Sequence, residues 1–271
     1  MTVETHPELL ARGSLAHLPL GRLPRRDDHR TLRLARYVDL DLVVPALPPT
    51  VDLTADVDAW PMYGNDTRGD CTCAAAGHMV QAWSAAYSRL NPDFPPFTPA
   101  EADVIQMYDD TGDGTDDGRV EIDVLNHWRT IGLGQGSDAD RIHAYVAVDP
   151  RDLDHVRAAI YLFGGVYVGV QLPITAQTQR VWDVAPGGGP DADPGSWGGH
   201  AIPYLAYDPA GLSCVTWGAV MRLTWPFHQR YTDEVYAILS PDWVGDLSSG
   251  RNPFGLDVNQ LNADLQAIAA G

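Results

Sequence analysis

The sequence predicts an α+β fold of two packed lobes, helical in its first half and antiparallel β in its second. Two observations predict it. Between residues 71 and 160 apolar side chains recur at helical spacing, and after Gly165 short β-branched and aromatic runs replace them. The helices and strands are also segregated along the chain, where a parallel sheet would need them to alternate. With 271 residues, 45% of them hydrophobic, the chain can bury a sizeable core as one large domain or two small ones.

Residues 1–46 are polar, Arg-rich and punctuated by proline, with one short helix expected over 31–38. The Pro-Ala-Leu-Pro-Pro-Thr run at 45–50 reads as an extended linker, because each proline biases its predecessor away from helix. The strongest helix spans 71–90. Asp70 is a good N-cap, Met79, Trp83, Ala86 and Tyr87 extend an apolar stripe, and Asn91-Pro92 ends it. A second helix is expected from Thr98 as cap, with Pro99 in its first position, to about Tyr108. A third over 121–131 stops at Gly132, and a fourth, shorter one follows Pro150. Strands are expected over 166–171, 200–207, 213–217 and 231–239, with a Gly/Pro/Asp-rich loop at 185–199. A helix over 258–270 is expected in the tail, 241–271.

The formal net charge of −18 argues against nucleic acid or an anionic membrane as a partner. The charge is uneven: residues 1–36 carry seven Arg against four acids, so the acidic surplus lies in the rest. A basic arm on an acidic body can fold back onto it or meet an acidic protein partner. All 18 cationic side chains are Arg, which removes lysine Schiff-base chemistry. The three cysteines, Cys71, Cys73 and Cys214, form no disulfide framework and suit a reducing cytoplasm. No run approaches the roughly 20 apolar residues a membrane span needs. No cofactor is expected.

Two short motifs carry chemistry. In Asn65-Asp-Thr-Arg-Gly-Asp-Cys71 a Gly-Asp turn leads into a helix that begins at the cysteine. A thiol at a helix N-terminus feels the positive end of the macrodipole, which favours the nucleophilic thiolate. A buried, inert cysteine is the alternative. In Gly198-Gly-His200 a histidine opens a strand after a glycine-rich loop, fit for close approach of another chain or for a satisfied core position.

Together, and in this order, the segments from about Pro48 to Leu239 resemble the papain-like cysteine peptidases. The residues behind the resemblance are Asn65 six places before Cys71, the Cys71 helix, Val124-Leu-Asn-His-Trp-Arg129, the 156–171 crossing, Gly199-His200 and Val215-Thr-Trp-Gly218. The resemblance implies a papain-like two-lobe fold, with the nucleophile helix in the N-terminal lobe. It implies that Cys71 attacks a carbonyl carbon, that His200 holds the thiolate and protonates the leaving group, and that Asn65 donates to the oxyanion. Trp217 would shield the pair, and Gly69, Asp70, Gly199 and Trp217 would line the substrate groove. The orienting partner of the imidazole falls at Val215 or Thr216. Only Thr216 has a polar group to offer, and Asp208 and Asp233 are fallbacks. Thr72 replaces the aromatic that usually follows the nucleophile.

The chain is therefore expected to be a cysteine hydrolase, a peptidase or amidase acting on a peptide or amide substrate through a thioester. The alternative is a catalytically idle papain-like fold serving as a binding or structural protein. Residues 1–46 would be a packed arm or a propeptide-like segment, and 47–240 the catalytic domain. The Lys-free, Ala/Gly/Asp/Pro-rich composition resembles actinobacterial or actinophage proteins, which adds a virion-associated location to the cytoplasmic one. The Asp-rich loop 109–118 matches the start of a calcium loop, but Val120 stands where the bidentate Glu belongs, so a turn lining the groove is the better reading. No zinc spacing is present.

Overall fold

The computed structural model describes residues 14–38, 47–93, 95–136 and 139–241, together with residue 263. The helix expected over 258–270 lies outside the described residues apart from that single position. Strands β1 (Val51–Asp52), β2 (Ala144–Ala147), β3 (Val166–Leu172), β4 (Val181–Trp182), β5 (Gly198–Asp208), β6 (Gly211–Thr216), β7 (Ala219–Thr224) and β8 (Thr232–Leu239) form one sheet in the order β2-β8-β3-β5-β6-β7-β4, with β1 added to β5. Every pairing is antiparallel except the short β4–β7 contact.

Five α-helices are described: α1 (Cys71–Leu90), α2 (Glu101–Asp110), α3 (Glu121–Thr130), α4 (Leu153–Phe163) and α5 (Trp225–Tyr231). The period-2 pleat sorts the sheet's side chains onto two faces. Tyr167, Ala201, Leu205, Val215, Tyr236 and Ile238 join the core that α1, α2 and α3 cover. Val166, Val168, Val170, Ile202, Leu212 and Cys214 join the second core, under α4. The α1 helix is buried over almost its whole length, and Trp83 stacks on Trp128 of α3 at 5.8 Å while its Nε1 donates to Gly164 O at 3.0 Å. A helix this enclosed holds its first residue rigidly at the sheet face.

The local readings need four corrections. The second helix starts at Glu101, with Ala100 at its N-cap, so neither Thr98 nor Pro99 is part of it. Asp70 does precede α1 but makes no capping hydrogen bond. The run 31–38 forms only a 3₁₀ turn at Leu34–Arg36. Strand β7 and helix α5, where Thr224 caps through Phe227 N, went unpredicted, because a six-residue strand joined directly to a two-turn helix offers no clean period.

The described part of the N-terminal arm is anchored on both sides of a crossing. Leu15 and Leu18 at one end, and Leu34, Tyr37 and Val38 at the other, are buried in the α4-side core. Between them the backbone runs past strand β5 and the loop before α3. Arg22 N–H donates to Gly199 O (3.2 Å), Arg119 N–H to Gly21 O (2.8 Å) and Leu23 N–H to Arg119 O (2.9 Å).

Candidate active site

Cys71 is the first residue of α1 and His200 the third of β5, and the fold brings them together. Ala201 N–H, the amide next to His200, points at Cys71 Sγ at 3.4 Å. His200 Nε2 is hydrogen-bonded to Thr216 Oγ1 at 2.7 Å, while Nδ1 has no hydrogen-bond partner. Asp208 is paired with Arg222, and Asp233 with Arg22, so both fallback carboxylates are engaged elsewhere. Val215 turns into the α1-side core.

The β6–β7 hairpin explains how Thr216 and Trp217 reach the histidine. Thr216 pairs with Ala219, leaving Trp217 (φ 46°) and Gly218 (φ 71°) as a two-residue turn with both central residues in the left-handed region. Such turns match strand twist but are costly for a bulky side chain such as Trp. Here the indole lies flat on the imidazole, with ring centroids 4.5 Å apart and planes 18° apart. It seals the ring from one side.

This architecture has known counterparts among solved structures. No protein-family model matches the chain, and no curated protein matches its sequence. In three dimensions it is similar to xylellain, a cysteine protease from Xylella fastidiosa, at 17% identity and a TM-score of 0.63, over 83% of this chain and 97% of that one. It is similar to procathepsin B S9 from Trypanosoma congolense at 10% identity and 0.57, over 84% and 87%. It also matches digestive procathepsin L 3 of the Tenebrio molitor larval midgut at 12% identity and 0.51, over 86% and 79%. The fold is papain-like.

In this papain-like chain the remaining predicted site residues fall as follows. Gly69 borders the cleft, its N–H donating to Asp116 Oδ1 at 3.0 Å, and Gly199 O receives Arg22 N–H. The Asn65 amide donates to Arg68 O at 3.2 Å, so an oxyanion role requires it to change partner. Loop 109–118 is tied inward: Asp116 Oδ1 also accepts from Tyr108 OH (2.7 Å), and Arg119 lies over the Tyr108 ring at 3.8 Å. Among the described residues no group of three or more His, Cys, Asp or Glu is placed to hold a metal, and no helix is long and apolar enough to cross a membrane.

The sequence allows for an arm folded back over the cleft but does not mark which of its residues cover the pair. Gly21 lies against the cysteine, its amide directed at the thiol, and Arg22 follows it beside Gly199. A Cβ on Gly21 would come within 1.6 Å of Gly69 O, so only glycine permits this approach. Under that cover Cys71 is 1% exposed and His200 fully buried. Burial pushes the Cys71 thiol up to about 12, against the pull of the Ala201 and Gly21 amides. Burial, aided by the Arg22 charge, pushes His200 down to about 3. Both groups are therefore neutral in this enclosed arrangement.

Asp70, beside the cysteine, is fully buried, and the Asn65 side chain and its own amide offset only part of the cost of burying its carboxyl. Burial raises its pKa to about 8, so it is held as the neutral acid at pH 7. A raised folded pKa contributes stability fully below the unfolded value, near 3.8, and loses it as pH climbs through about 8. Asp70→Asn removes this slope. The variant's stability advantage over the parent should therefore grow between pH 4 and 8, at up to about 1.4 kcal/mol per pH unit. Denaturant midpoints at several pH values measure it, and parallel curves for the two proteins would refute it.

Proposed function

We propose that this chain is a cysteine hydrolase acting on peptide or amide bonds, held closed by its N-terminal arm. The observation that carries the reading is the Ala201 amide aimed at Cys71 Sγ, next to a histidine whose Nε2 is held by Thr216 and whose Nδ1 is unclaimed. Once the arm leaves and water returns, the thiol proton passes to His200. The thiolate forms a bond to the carbonyl carbon, and the C–N bond breaks as the imidazolium gives its proton to the departing amine. Water, deprotonated by the same imidazole, then cleaves the thioester to release the acid and restore the thiol. The helix-end N–H of Cys71 and the Asn65 amide would serve the oxyanion.

In this proposal residues 1–46 act as a propeptide-like cover on a catalytic domain of 47–240. The arm's Arg side chains, once displaced, are free to meet an acidic protein. The idle-module reading draws on one observation, the complete burial of His200 behind the arm. Alkylation with an iodoacetamide reagent after the arm is loosened, followed by peptide mapping, separates the two. The adduct is expected on Cys71, with Cys73 and Cys214 protected by burial. An adduct confined to Cys73 or Cys214 would remove the nucleophile from the proposal.

A further inference from the structure

The arm's Arg22 is seated among three acids, one of which, Glu121, is near enough to Cys71 to act on its thiol. The guanidinium is ion-paired to Glu234, to Asp233 Oδ1 at 2.7 Å and, through Nε, to Glu121 Oε1 at 3.4 Å. The Arg22 and Glu121 side chains are fully buried and that of Glu234 almost so. The carboxylates are themselves positioned. Gln171 Nε2 donates to Asp233 Oδ2 (2.9 Å) and Tyr236 OH to Glu234 Oε2 (2.7 Å), while burial and the neighbouring Glu234 and Asp233 push the Glu121 carboxyl up against the pull of Arg22. The backbone makes room as well. A Cβ on Gly169, in the middle of β3, would stand 2.3 Å from Arg22 Nε, so a glycine in an otherwise Val-rich strand opens the seat.

We infer that this Glu121/Asp233/Glu234 pocket is the subsite that selects an arginine side chain in a peptide ligand, and that Arg22 is its tethered occupant. The inference rests on the Cys71–His200 cleft being the substrate cleft. Three arguments carry it. One guanidinium faces three acids, of which burial and its neighbours favour the neutral form of Glu121, and when the arm departs the buried Glu234 and the part-exposed Asp233 lose their cation. Such a loss is costly unless the carboxylates are protonated or the seat is refilled by a cation. The planar guanidinium, with donors directed to several carboxylates at once, suits the seat better than a point-charge ammonium. The arm also occupies the cleft through main-chain hydrogen bonds to Gly199 and Arg119, which any peptide can make, so the pocket supplies the side-chain choice.

The test uses the full chain carrying Cys71→Ala, to prevent turnover, and Gly21→Ala, to displace the arm. The probes are blocked tetrapeptides with the arm's own Leu-Gly-Arg-Leu sequence and analogues with citrulline or Lys in place of Arg. Binding is followed by tryptophan fluorescence. The Arg peptide is expected to bind at least tenfold tighter than its citrulline analogue and tighter than the Lys one. Adding Glu234→Gln should erase most of that difference. Equal affinity for Arg and citrulline peptides overturns the inference. Agmatine binding as tightly as the Arg peptide overturns the peptide assignment in favour of a small guanidine. If Gly21→Ala does not fold, Arg22→Glu, whose charge the Asp233 and Glu234 carboxylates repel, displaces the arm instead and the same comparison decides. Arg-selective binding by the Cys71→Ala chain, with no turnover of the same peptides by the arm-displaced chain that keeps Cys71, would defeat the hydrolase reading and leave the subsite standing. Turnover without Arg preference would do the reverse.

Discussion

Gly21→Ala should raise the rate of Cys71 alkylation at pH 8 by about 100-fold, equivalent to about 2.7 kcal/mol on the covering equilibrium. The added methyl would sit 1.6 Å from Gly69 O, against backbone that cannot turn aside, so the arm must lift. Lifting removes the Arg22 cluster and the three backbone bonds that bracket it. It also returns water to a thiol whose high pKa comes from burial. The thiolate fraction and the access of reagent therefore increase together. Because Leu15, Leu18, Leu34 and Tyr37 stay anchored in the other core, the chain should remain folded while the crossing opens. Stopped-flow alkylation of parent and variant measures the ratio, and circular dichroism checks the fold. A folded variant alkylated no faster than the parent would mean that the arm does not control access.

In that opened protein, His200→Ala should lower acylation by an activated ester by about 10⁴-fold, whereas Thr216→Val should cost about 10- to 100-fold. The two residues do different work. In the proposed mechanism His200 exchanges the proton with sulfur and leaving group through Nδ1. Thr216 acts only through Nε2, at 2.7 Å, where its hydroxyl can accept from the ring when the ring is protonated. Losing that acceptor destabilises the imidazolium and frees the ring to rotate, although stacking on Trp217 still restrains it. Thr216→Val should therefore lower the pKa of the acidic limb of the rate–pH profile, and Thr216→Ser should restore both rate and profile. An unchanged profile in the Val variant would show that the hydroxyl merely packs. A His200→Ala variant with near-normal acylation would end the enzymatic account.

Much of this arrangement was written in local pattern. The α1 stripe through Met79 and Trp83 marked a buried helix, and Cys71 had to sit at its tip. The β-branched run at Val166 and the glycines before His200 marked strands that pair in the observed register. The resemblance then supplied the order of segments. Thr216 was one of two neighbouring choices, and strand alternation sent Val215 to the α1 core and Thr216 to the histidine. Less legible was the start of α2, where a Thr-Pro pair reads as a cap but belongs to the preceding extended chain.

What local pattern carried was therefore the inventory: which segments are helix or strand, which face of each is apolar, and which thiol and imidazole are candidates. Those properties depend on residues within a few positions of one another, and periodicity records them. The folded chain alone set Gly21 on Gly69 and Arg22 among Glu121, Asp233 and Glu234, contacts that join residues as far apart in sequence as Arg22 and Glu234. Such a pairing leaves no trace in spacing, because its energy comes from burial and charge that exist only after the sheet has closed around the arm. The same closure takes a helix-tip thiol, which its dipole would make acidic, and holds it neutral by removing water.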